Sequence, residues 1–283
     1  MTELRKERAL VTGGCRGMGF LIASALAERG AEVVLWDLDE RELAKAASRI
    51  GPRASFAVVD VADRAAVLAA AAALGPVHVL VNNAGVVAGK PLLDLTPEDI
   101  ERTFRINTLA HFWTLQAFLP AMIARDAGHV VSMASAAGIC AVPRLADYSA
   151  SKAAAIALDE SLRLELRQAQ SHVRTTVVCP FFVDTGMFSG AKTRWPLLLP
   201  ILRPDDVAAR VVRAIVEDRS RVIMPWTVVI TFLARLLPVA WFDAIASFLG
   251  VTVSMDEFVG HAGAPSKAAR PVLPQDVGHP RRA

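Results

Sequence analysis

The chain has 283 residues, of which 53% are hydrophobic and 21% charged, so a large core is expected and disorder over most of the chain is excluded. The net charge is only +3 and the basic residues are scattered, which argues against nucleic-acid binding. Three cysteines and six dispersed histidines lack metal-ligand spacing, so neither a metal site nor a disulfide framework is expected.

Neither end of the chain carries a targeting signal that we can identify. The N-terminus lacks the apolar segment of a signal peptide. The uncharged run 222–234 is shorter than the ~18 residues of a membrane-spanning helix. We therefore expect a cytoplasmic protein, with peripheral association with a membrane through 226–250 as the open alternative.

Short β-branched runs alternate with Ala- and Leu-rich stretches of helical periodicity up to about residue 225. The runs are RALVT, AEVVLWD, ASFAVVD, VHVLVN, GHVVSMAS, VRTTVVC and RVIMP. Several are almost continuously apolar, as in strands buried on both faces of a parallel sheet. The pattern predicts one α/β domain over 1–225, a doubly wound Rossmann fold whose seven-stranded, mostly parallel sheet has helices on both faces.

A glycine-rich segment, VTGGCRGMGF at 11–20, follows the first predicted strand and opens the first predicted helix. Gly13, Gly17 and Gly19 form a T-G-x-x-x-G-x-G pattern. Glycines at these positions allow a tight turn and let backbone N–H groups approach a pyrophosphate at a helix N-terminus. This position in a β-α unit predicts a dinucleotide site.

The second predicted strand ends at Asp37. A carboxylate there can accept hydrogen bonds from the adenosine ribose hydroxyls and would repel a 2′-phosphate, which favours NAD over NADP. Arg16, inside the glycine-rich segment, is the opposing signal because it could neutralise that phosphate. The alternative is that Asp37 is merely a solvated carboxylate at a strand end.

The single tyrosine of the chain lies in DYSASKAAA, residues 147–155, four positions before a lysine. On a helix, Tyr148 and Lys152 share one face. A cation beside a phenol is expected to lower the pKa of the phenol from about 10, giving an acid/base group near neutral pH. The alternative is a core aromatic side chain with a satisfied hydroxyl.

These motifs together resemble the short-chain dehydrogenase/reductase family across roughly residues 7–225. The motifs that carry the resemblance are TGGCRGMG, Asp60-Val61, NNAG at 82–85, Asn107, Ser135 with YSASK, and a Pro-containing turn after the sixth predicted strand. The resemblance implies an NAD(P)-dependent oxidoreductase acting on CH–OH groups and a homodimer or homotetramer.

The resemblance also implies which residues bind the cofactor. Asp60 and Val61 would hold the adenine, Asn83 to Gly85 would line the cofactor, and Asn82 would brace the sheet. Val183 and Thr185 would bind the carboxamide. The full implied set is Gly13, Arg16, Gly17, Met18, Gly19, Asp37, Asp60, Val61, Asn83, Ala84, Gly85, Tyr148, Lys152, Val183 and Thr185.

Four residues are implied to be catalytic. Ser135 would hydrogen-bond the substrate oxygen, and Tyr148 would exchange a proton with it. Lys152 would lower the pKa of Tyr148 and hold the nicotinamide ribose. Asn107 would position a proton-relaying water, unless it only kinks a helix. The competing hydroxyl, Ser132, is interpreted as a strand residue.

Two features point to the substrate. The segments FRINTLAHFWTLQAFLPAM and GHVVSMASAAG are similar to the branch of 17-beta-hydroxysteroid and retinol dehydrogenases, which implies a lipophilic alcohol or carbonyl (steroid-, retinoid- or fatty-alcohol-like). In CPFFVDTG, Phe181 replaces the family's glycine and should narrow the substrate pocket. The alternatives are an NADPH-dependent carbonyl or 3-oxoacyl reductase and, outside enzymes, a nucleotide-binding regulatory protein.

The chain after residue 225 differs in composition from the rest. Residues 226–260 are predicted to form an apolar helical extension, with a helix break or start at Pro238. Its apolar part, 226–250, is expected to pack on the domain, on a second subunit or peripherally on a membrane. Residues 261–283 are rich in Ala, Pro and charge, which indicates a disordered tail.

Overall fold

A computed structural model describes residues 2–260, so the predicted tail at 261–283 lies outside the described part. Each of the seven β-branched runs forms a strand, and every neighbouring pair is parallel. The order across the sheet is β3-β2-β1-β4-β5-β6-β7. The strands are β1 (Arg8–Thr12), β2 (Glu32–Asp37), β3 (Ala54–Val58), β4 (Val79–Asn82), β5 (His129–Met133), β6 (Arg174–Pro180) and β7 (Arg221–Met224). The predicted doubly wound fold is confirmed.

The strand order reverses direction between β1 and β4. From β1 the chain builds outward to β2 and β3, and it then returns to place β4 on the other side of β1. In such sheets the connections after the two central strands leave on opposite faces, which opens a crevice at their carboxyl ends. The glycine-rich segment follows β1, and the NNAG segment begins at the end of β4. Both predicted cofactor motifs therefore lie at this crevice.

Helices cover both faces of the sheet. They are α1 (Gly17–Glu28), α2 (Glu40–Ile50), α3 (Arg64–Leu74), α4 (Pro97–Phe104), α5 (Ala110–Ala124), α6 (Ala146–Gln168) and α7 (Pro204–Val216). One core cluster joins α1, α2 and α7 to the sheet, and a second joins α3, α5 and α6 to its other face. Alternate strand residues divide between them: Val11 belongs to the first cluster and Leu10 to the second.

Helix starts follow from local side-chain chemistry. Asp39 accepts hydrogen bonds from the Arg41 and Glu42 N–H groups at the start of α2. Thr96 and Asp99 form a reciprocal capping box at the start of α4. Between α4 and α5 the helix widens into a π-helical turn, Arg105–Leu109, which contains Asn107. Such turns inside helices often occur at functional sites.

The predicted apolar extension follows β7. A 3₁₀ turn, Trp226–Val229, leads into α8 (Ile230–Ala234) and α9 (Val239–Phe248). Pro238 is the residue directly before α9, as expected for a proline at a helix start. Residues 226–250 are called the C-terminal cap below. Within residues 2–260, no helix combines the length and apolarity needed to cross a bilayer.

Candidate active site

The glycine-rich turn after β1 is built so tightly that side chains are excluded. A methyl group on Gly19 would lie 2.0 Å from the Gly13 carbonyl oxygen, and one on Gly13 would lie 2.9 Å from the Ala84 Cα. Gly13 also has a φ of +63°, which favours glycine. The two segments therefore pack backbone to backbone across the β1–β4 crevice.

Hydrogen bonds from the NNAG segment hold this turn in place. The Asn83 amide donates to the carbonyl oxygens of Thr12 at 2.9 Å and Gly13 at 3.1 Å. In return, the Thr12 hydroxyl accepts from the N–H groups of Asn83 and Ala84. Asn82 instead accepts from the Thr114 hydroxyl and so ties β4 to α5, which agrees with a bracing role.

The Asp37 carboxylate is fixed at the glycine-rich turn. It accepts from the N–H of Cys15 at 3.3 Å and from the N–H of Leu38 at 2.8 Å. Burial, and next the hydrogen bond to Asp37, raise the pKa of the Cys15 thiol to about 12, so this thiol stays protonated. Arg16 lies exposed at the start of α1, on the same turn.

The other predicted adenine and turn residues lie around the same edge. The Val59 N–H donates to the Asp37 carbonyl oxygen, which brings the end of β3 to the end of β2. Asp60 follows at the surface and accepts from the Ala62 N–H at 2.9 Å, while Val61 is buried in the core. Met18 is half-buried against the core under α1.

The segment after β6 reaches back to the turn before α1. Outside its own helix, a methyl group on Gly17 would contact only the Thr185 Cβ, at 3.7 Å. Val183 is buried and pairs with Leu202. The space beside Gly17, between the first N–H groups of α1 and Thr185, is called the cradle below.

Asn107, Lys152 and Gly85 converge at the other end of the crevice. A methyl group on Gly85 would lie 3.3 Å from the Asn107 Oδ1 and 3.5 Å from the Lys152 Nζ. The Asn107 side chain is buried and accepts from the N–H of Val86 at 2.8 Å. Its amide group donates to the Val86 carbonyl oxygen at 2.9 Å and to the Ser151 hydroxyl at 3.0 Å. Asn107 therefore fixes the NNAG segment to α6.

The Lys152 ammonium points to the sheet rather than to the phenol. Its Nζ donates to the Met133 carbonyl oxygen at 2.6 Å and lies 5.8 Å from the centre of the Tyr148 ring. Burial lowers the pKa of Lys152 to about 8. The residue therefore exchanges its proton at a pH close to neutral.

The expected lowering of the Tyr148 pKa is wrong for the protein alone. Burial raises the pKa of the phenol to about 12, and hydrogen bonding with the Ser135 hydroxyl only partly opposes it. The physical reason is that burial excludes water from the phenolate, while the Lys152 ammonium is engaged by a backbone carbonyl. Tyr148 and Ser135 nonetheless face each other as predicted.

Ser135 begins the turn that follows β5. Its hydroxyl accepts from the Ala137 N–H at 3.1 Å and donates to the Pro180 carbonyl oxygen at 3.4 Å. Ser132, the competing hydroxyl, lies within β5 and hydrogen-bonds the buried Asp159. Its interpretation as a strand residue is confirmed.

An apolar cavity opens beside Ser135. Including its mouth it measures about 1020 Å³, and Phe181 forms part of its wall. Phe181 contacts Phe182, Phe182 contacts Phe188, and the Phe188 ring meets the Tyr148 ring edge-on at 5.6 Å. The opposite wall belongs to the C-terminal cap, through residues such as Val228, Ile230, Phe242, Ile245 and Leu249.

Three residues that support the site were missed by the sequence reasoning. Thr12 and Ser151 lie inside the quoted motifs, but only their hydrogen bonds to Asn83 and Asn107 reveal what they do. Phe188 lies in an irregular segment and has no local signal. In residues 2–260 there is no group of three or more His, Cys, Asp or Glu side chains that could hold a metal ion.

The fold and this arrangement define a class of protein. A dinucleotide crevice leads to a serine, a tyrosine and a lysine next to an apolar cavity, which is the layout of a nicotinamide-dependent oxidoreductase. Residues 7–194 match the model of the short chain dehydrogenase family, and the chain belongs to that family. It is an NAD(P)-dependent enzyme acting on CH–OH groups or the corresponding carbonyls.

Relatives in the family support the resemblance to its retinol and steroid branch. Human epidermal retinol dehydrogenase 2 is 41% identical over 263 residues, covering 89% of this chain and 85% of its own. Human estradiol 17-beta-dehydrogenase 11 is 36% identical over 264 residues, covering 90% and 86%.

Solved structures share the fold. A short chain dehydrogenase/reductase from Burkholderia phymatum in complex with NAD matches with a TM-score of 0.75 and 31% identity, over 83% of this chain and 95% of its own. A metagenomic short-chain oxidoreductase in complex with NADP matches with a TM-score of 0.66 and 34% identity, over 78% and 96%. Neighbours of this fold thus bind both cofactors.

Proposed function

We propose that this enzyme transfers a hydride between NAD and a lipophilic alcohol or its carbonyl. The observation that carries the proposal is the apolar cavity, which has Ser135 in its wall and the Tyr148 ring packed against its Phe188 wall residue. A hydrocarbon body would fill the cavity while its oxygen lies at the two hydroxyl groups. The relatives named for retinol and estradiol support a substrate of this kind.

The chain's own residues would handle the proton and the developing charge. Ser135 would donate to the substrate oxygen, and Tyr148 would exchange the proton with it. A protonated Tyr148 phenol is the form that donates to a carbonyl, and the phenolate is the form that accepts the proton of an alcohol. Oxidation requires the phenol to lose its own proton first, so we expect oxidation to become faster at alkaline pH.

The residues of the crevice fit a nicotinamide dinucleotide, which when bound supplies the hydride acceptor. The cradle beside Gly17 suits a pyrophosphate, and Lys152 lies where it could hold a ribose hydroxyl once released from the Met133 carbonyl. We propose that the remaining cofactor contacts are those that the resemblance implies. The residues that would make them are Asp60, Val61, Asn83 to Gly85, Val183 and Thr185. Asn107 would anchor this end of the site.

We propose NAD rather than NADP as the preferred cofactor. The Asp37 carboxylate is held toward the turn by the Cys15 N–H, so it is positioned to meet a ribose hydroxyl. A 2′-phosphate at the same place would meet this negative charge. Arg16, exposed on the same turn, is the residue that could offset it.

Oxidation of lipophilic alcohols by the purified full chain tests the proposal. NAD reduction would be followed with a panel of retinoids, steroids and long-chain primary alcohols. We expect turnover with at least one lipophilic alcohol and a higher kcat/KM with NAD than with NADP. Turnover confined to NADPH and polar carbonyls or 3-oxoacyl compounds would favour the reductase alternative. Tight NAD binding without turnover of any of these would favour a regulatory protein.

The C-terminal cap is proposed to rest on a lipid surface. Its outer side exposes Trp226 by 72%, Trp241 by 66% and Leu236 by 82%. No residue of α8 or α9 is fully buried, so packing on the domain accounts for only one side of these helices. Exposed tryptophans together with the exposed Arg235 of the same segment suit the interface between lipid headgroups and acyl chains. The mouth of the cavity would then face the phase in which its substrate dissolves.

We also propose a homodimer or homotetramer. Phe112 and Ile123 of α5 and Leu164 of α6 are exposed on neighbouring helices on one face of the sheet. An apolar surface shared by two helices can bury itself against a second copy of the chain. Light scattering of the purified chain measures the assembly directly.

A further inference from the structure

The cavity beside Ser135 is lined almost entirely by apolar side chains. Of its 21 lining residues, none carries a charge and only four have a hydroxyl or thiol: Ser135, Cys140, Thr227 and Thr231. The other members are Ala, Val, Leu, Ile and Phe side chains. Seventeen of the 21 lining residues are therefore apolar.

The three polar groups away from Ser135 offer a ligand few hydrogen bonds. The Thr227 hydroxyl donates its proton to the Leu198 carbonyl oxygen at 2.6 Å, so it can only accept from a ligand. Burial raises the pKa of the Cys140 thiol, so it stays a neutral thiol, which is a weak hydrogen-bonding group. The half-buried Thr231 of α8 is the remaining hydroxyl.

We infer that the enzyme selects alcohols with a single polar group, at the reacting end of an otherwise hydrocarbon molecule. This rests on the proposed function and narrows it. A second hydroxyl or keto group at the far end would lie mainly among apolar side chains of the cap, where only the Thr227 and Thr231 hydroxyls could replace its hydrogen bonds to water. Burying an unpaired polar group of this kind lowers affinity strongly, whereas extra methylene groups raise it. Long-chain and polyene alcohols fit this rule, while steroids with oxygens at both ends do not.

A pair of matched compounds tests the inference. Hexadecan-1-ol and hexadecane-1,16-diol have the same chain, and the diol has two reactive ends. With the purified full chain and NAD, we expect kcat/KM for the diol to be roughly ten- to hundredfold lower, in spite of its statistical advantage. Equal or higher kcat/KM for the diol would overturn the inference and leave the proposed function standing. If neither compound nor any other lipophilic alcohol is oxidised, both fail.

Two variants on α9 test the same inference by changing the protein instead of the substrate. Phe242→Tyr adds a hydroxyl to a side chain of the cavity wall, and Phe248→Tyr adds one to an outward side chain of the same helix that is 60% exposed. We expect Phe242→Tyr to raise the ratio of diol to monoalcohol kcat/KM severalfold and Phe248→Tyr to leave it unchanged. The same change of ratio in both variants, or in neither, would contradict the inference.

Discussion

Tyr148 lies on α6 one turn before Lys152, and both side chains are buried. Spacing does not fix where a flexible ammonium points, and here the Met133 carbonyl oxygen binds it. Burial sets the direction of the Tyr148 pKa shift, and burial is a property of the folded core that no local pattern reveals.

Because Tyr148 is the only tyrosine, its ionisation can be followed directly at about 295 nm. Without cofactor, we expect the phenol to titrate well above 10, near the raised pKa of about 12. Tyr148→Phe should remove the signal and lower kcat at least about a hundredfold while NAD binding persists. Ionisation at or below 10 in the free protein, or an active Phe variant, would contradict the assignment.

Asp37 offers a second test on a single side chain. Asp37→Ala removes both the proposed ribose contact and the repulsion of a 2′-phosphate, so the ratio of kcat/KM for NAD to that for NADP should fall roughly tenfold or more. The neighbouring Asp39 caps α2 through its own hydrogen bonds, so Asp39→Asn is a matched control that should keep the ratio. An unchanged ratio in Asp37→Ala would exclude its role in cofactor choice.

At the scale of elements, the strands were predictable, whereas of the aromatic substrate wall only Phe181 was. Strands such as β1 and β4 are buried on both faces, so their sequences are almost continuously apolar and stand out. The wall formed by Phe181, Phe182 and Phe188 belongs to an irregular segment between β6 and α7. Its position is set by contacts with the cap and α6, which are distant in sequence.

The C-terminal cap supplies the prediction at this scale. In Trp226→Ser/Trp241→Ser, two exposed aromatic side chains are lost, so the fraction of protein that floats with phospholipid vesicles should fall severalfold. Leu92→Ser/Leu93→Ser, in the turn before α4, is the control for loss of two exposed apolar side chains elsewhere (64% and 87% exposed) and should keep vesicle binding. If the double variant binds vesicles normally but changes its mass in light scattering, the cap is a subunit interface instead.

For the whole molecule, buried histidines link stability to pH. Burial lowers the pKa of His111 to about 3 and that of His129 to about 4, and neither ring nitrogen of His111 has a hydrogen-bond partner. As pH falls below 6.5 the unfolded chain takes up protons that the folded chain does not, so the folded state loses stability. Each histidine contributes a slope of up to about 1.4 kcal/mol per pH unit.

Urea unfolding at pH 7.5, 6 and 5 measures this loss. His111→Leu should reduce the number of protons taken up on unfolding by about one, so the free energy of unfolding should fall less steeply as the pH is lowered. Asp159 acts in the opposite direction, because burial raises its pKa to about 6 and the folded chain binds a proton there first. Asp159→Asn should therefore make the loss below pH 6 steeper. A free energy of unfolding that stays constant from pH 7.5 to 5 would exclude this linkage.

The wall of the cavity formed by the cap comes from the last described part of the chain, after every strand of the sheet has been laid down. The acid/base groups, in contrast, are carried by the turn after β5 and by α6, in the middle of the chain. Recombination or length changes after β7 could therefore exchange one substrate wall for another while the chemistry stays intact. In such a layout, a new substrate range can evolve through the segment after the last strand without changes to the catalytic residues that precede it.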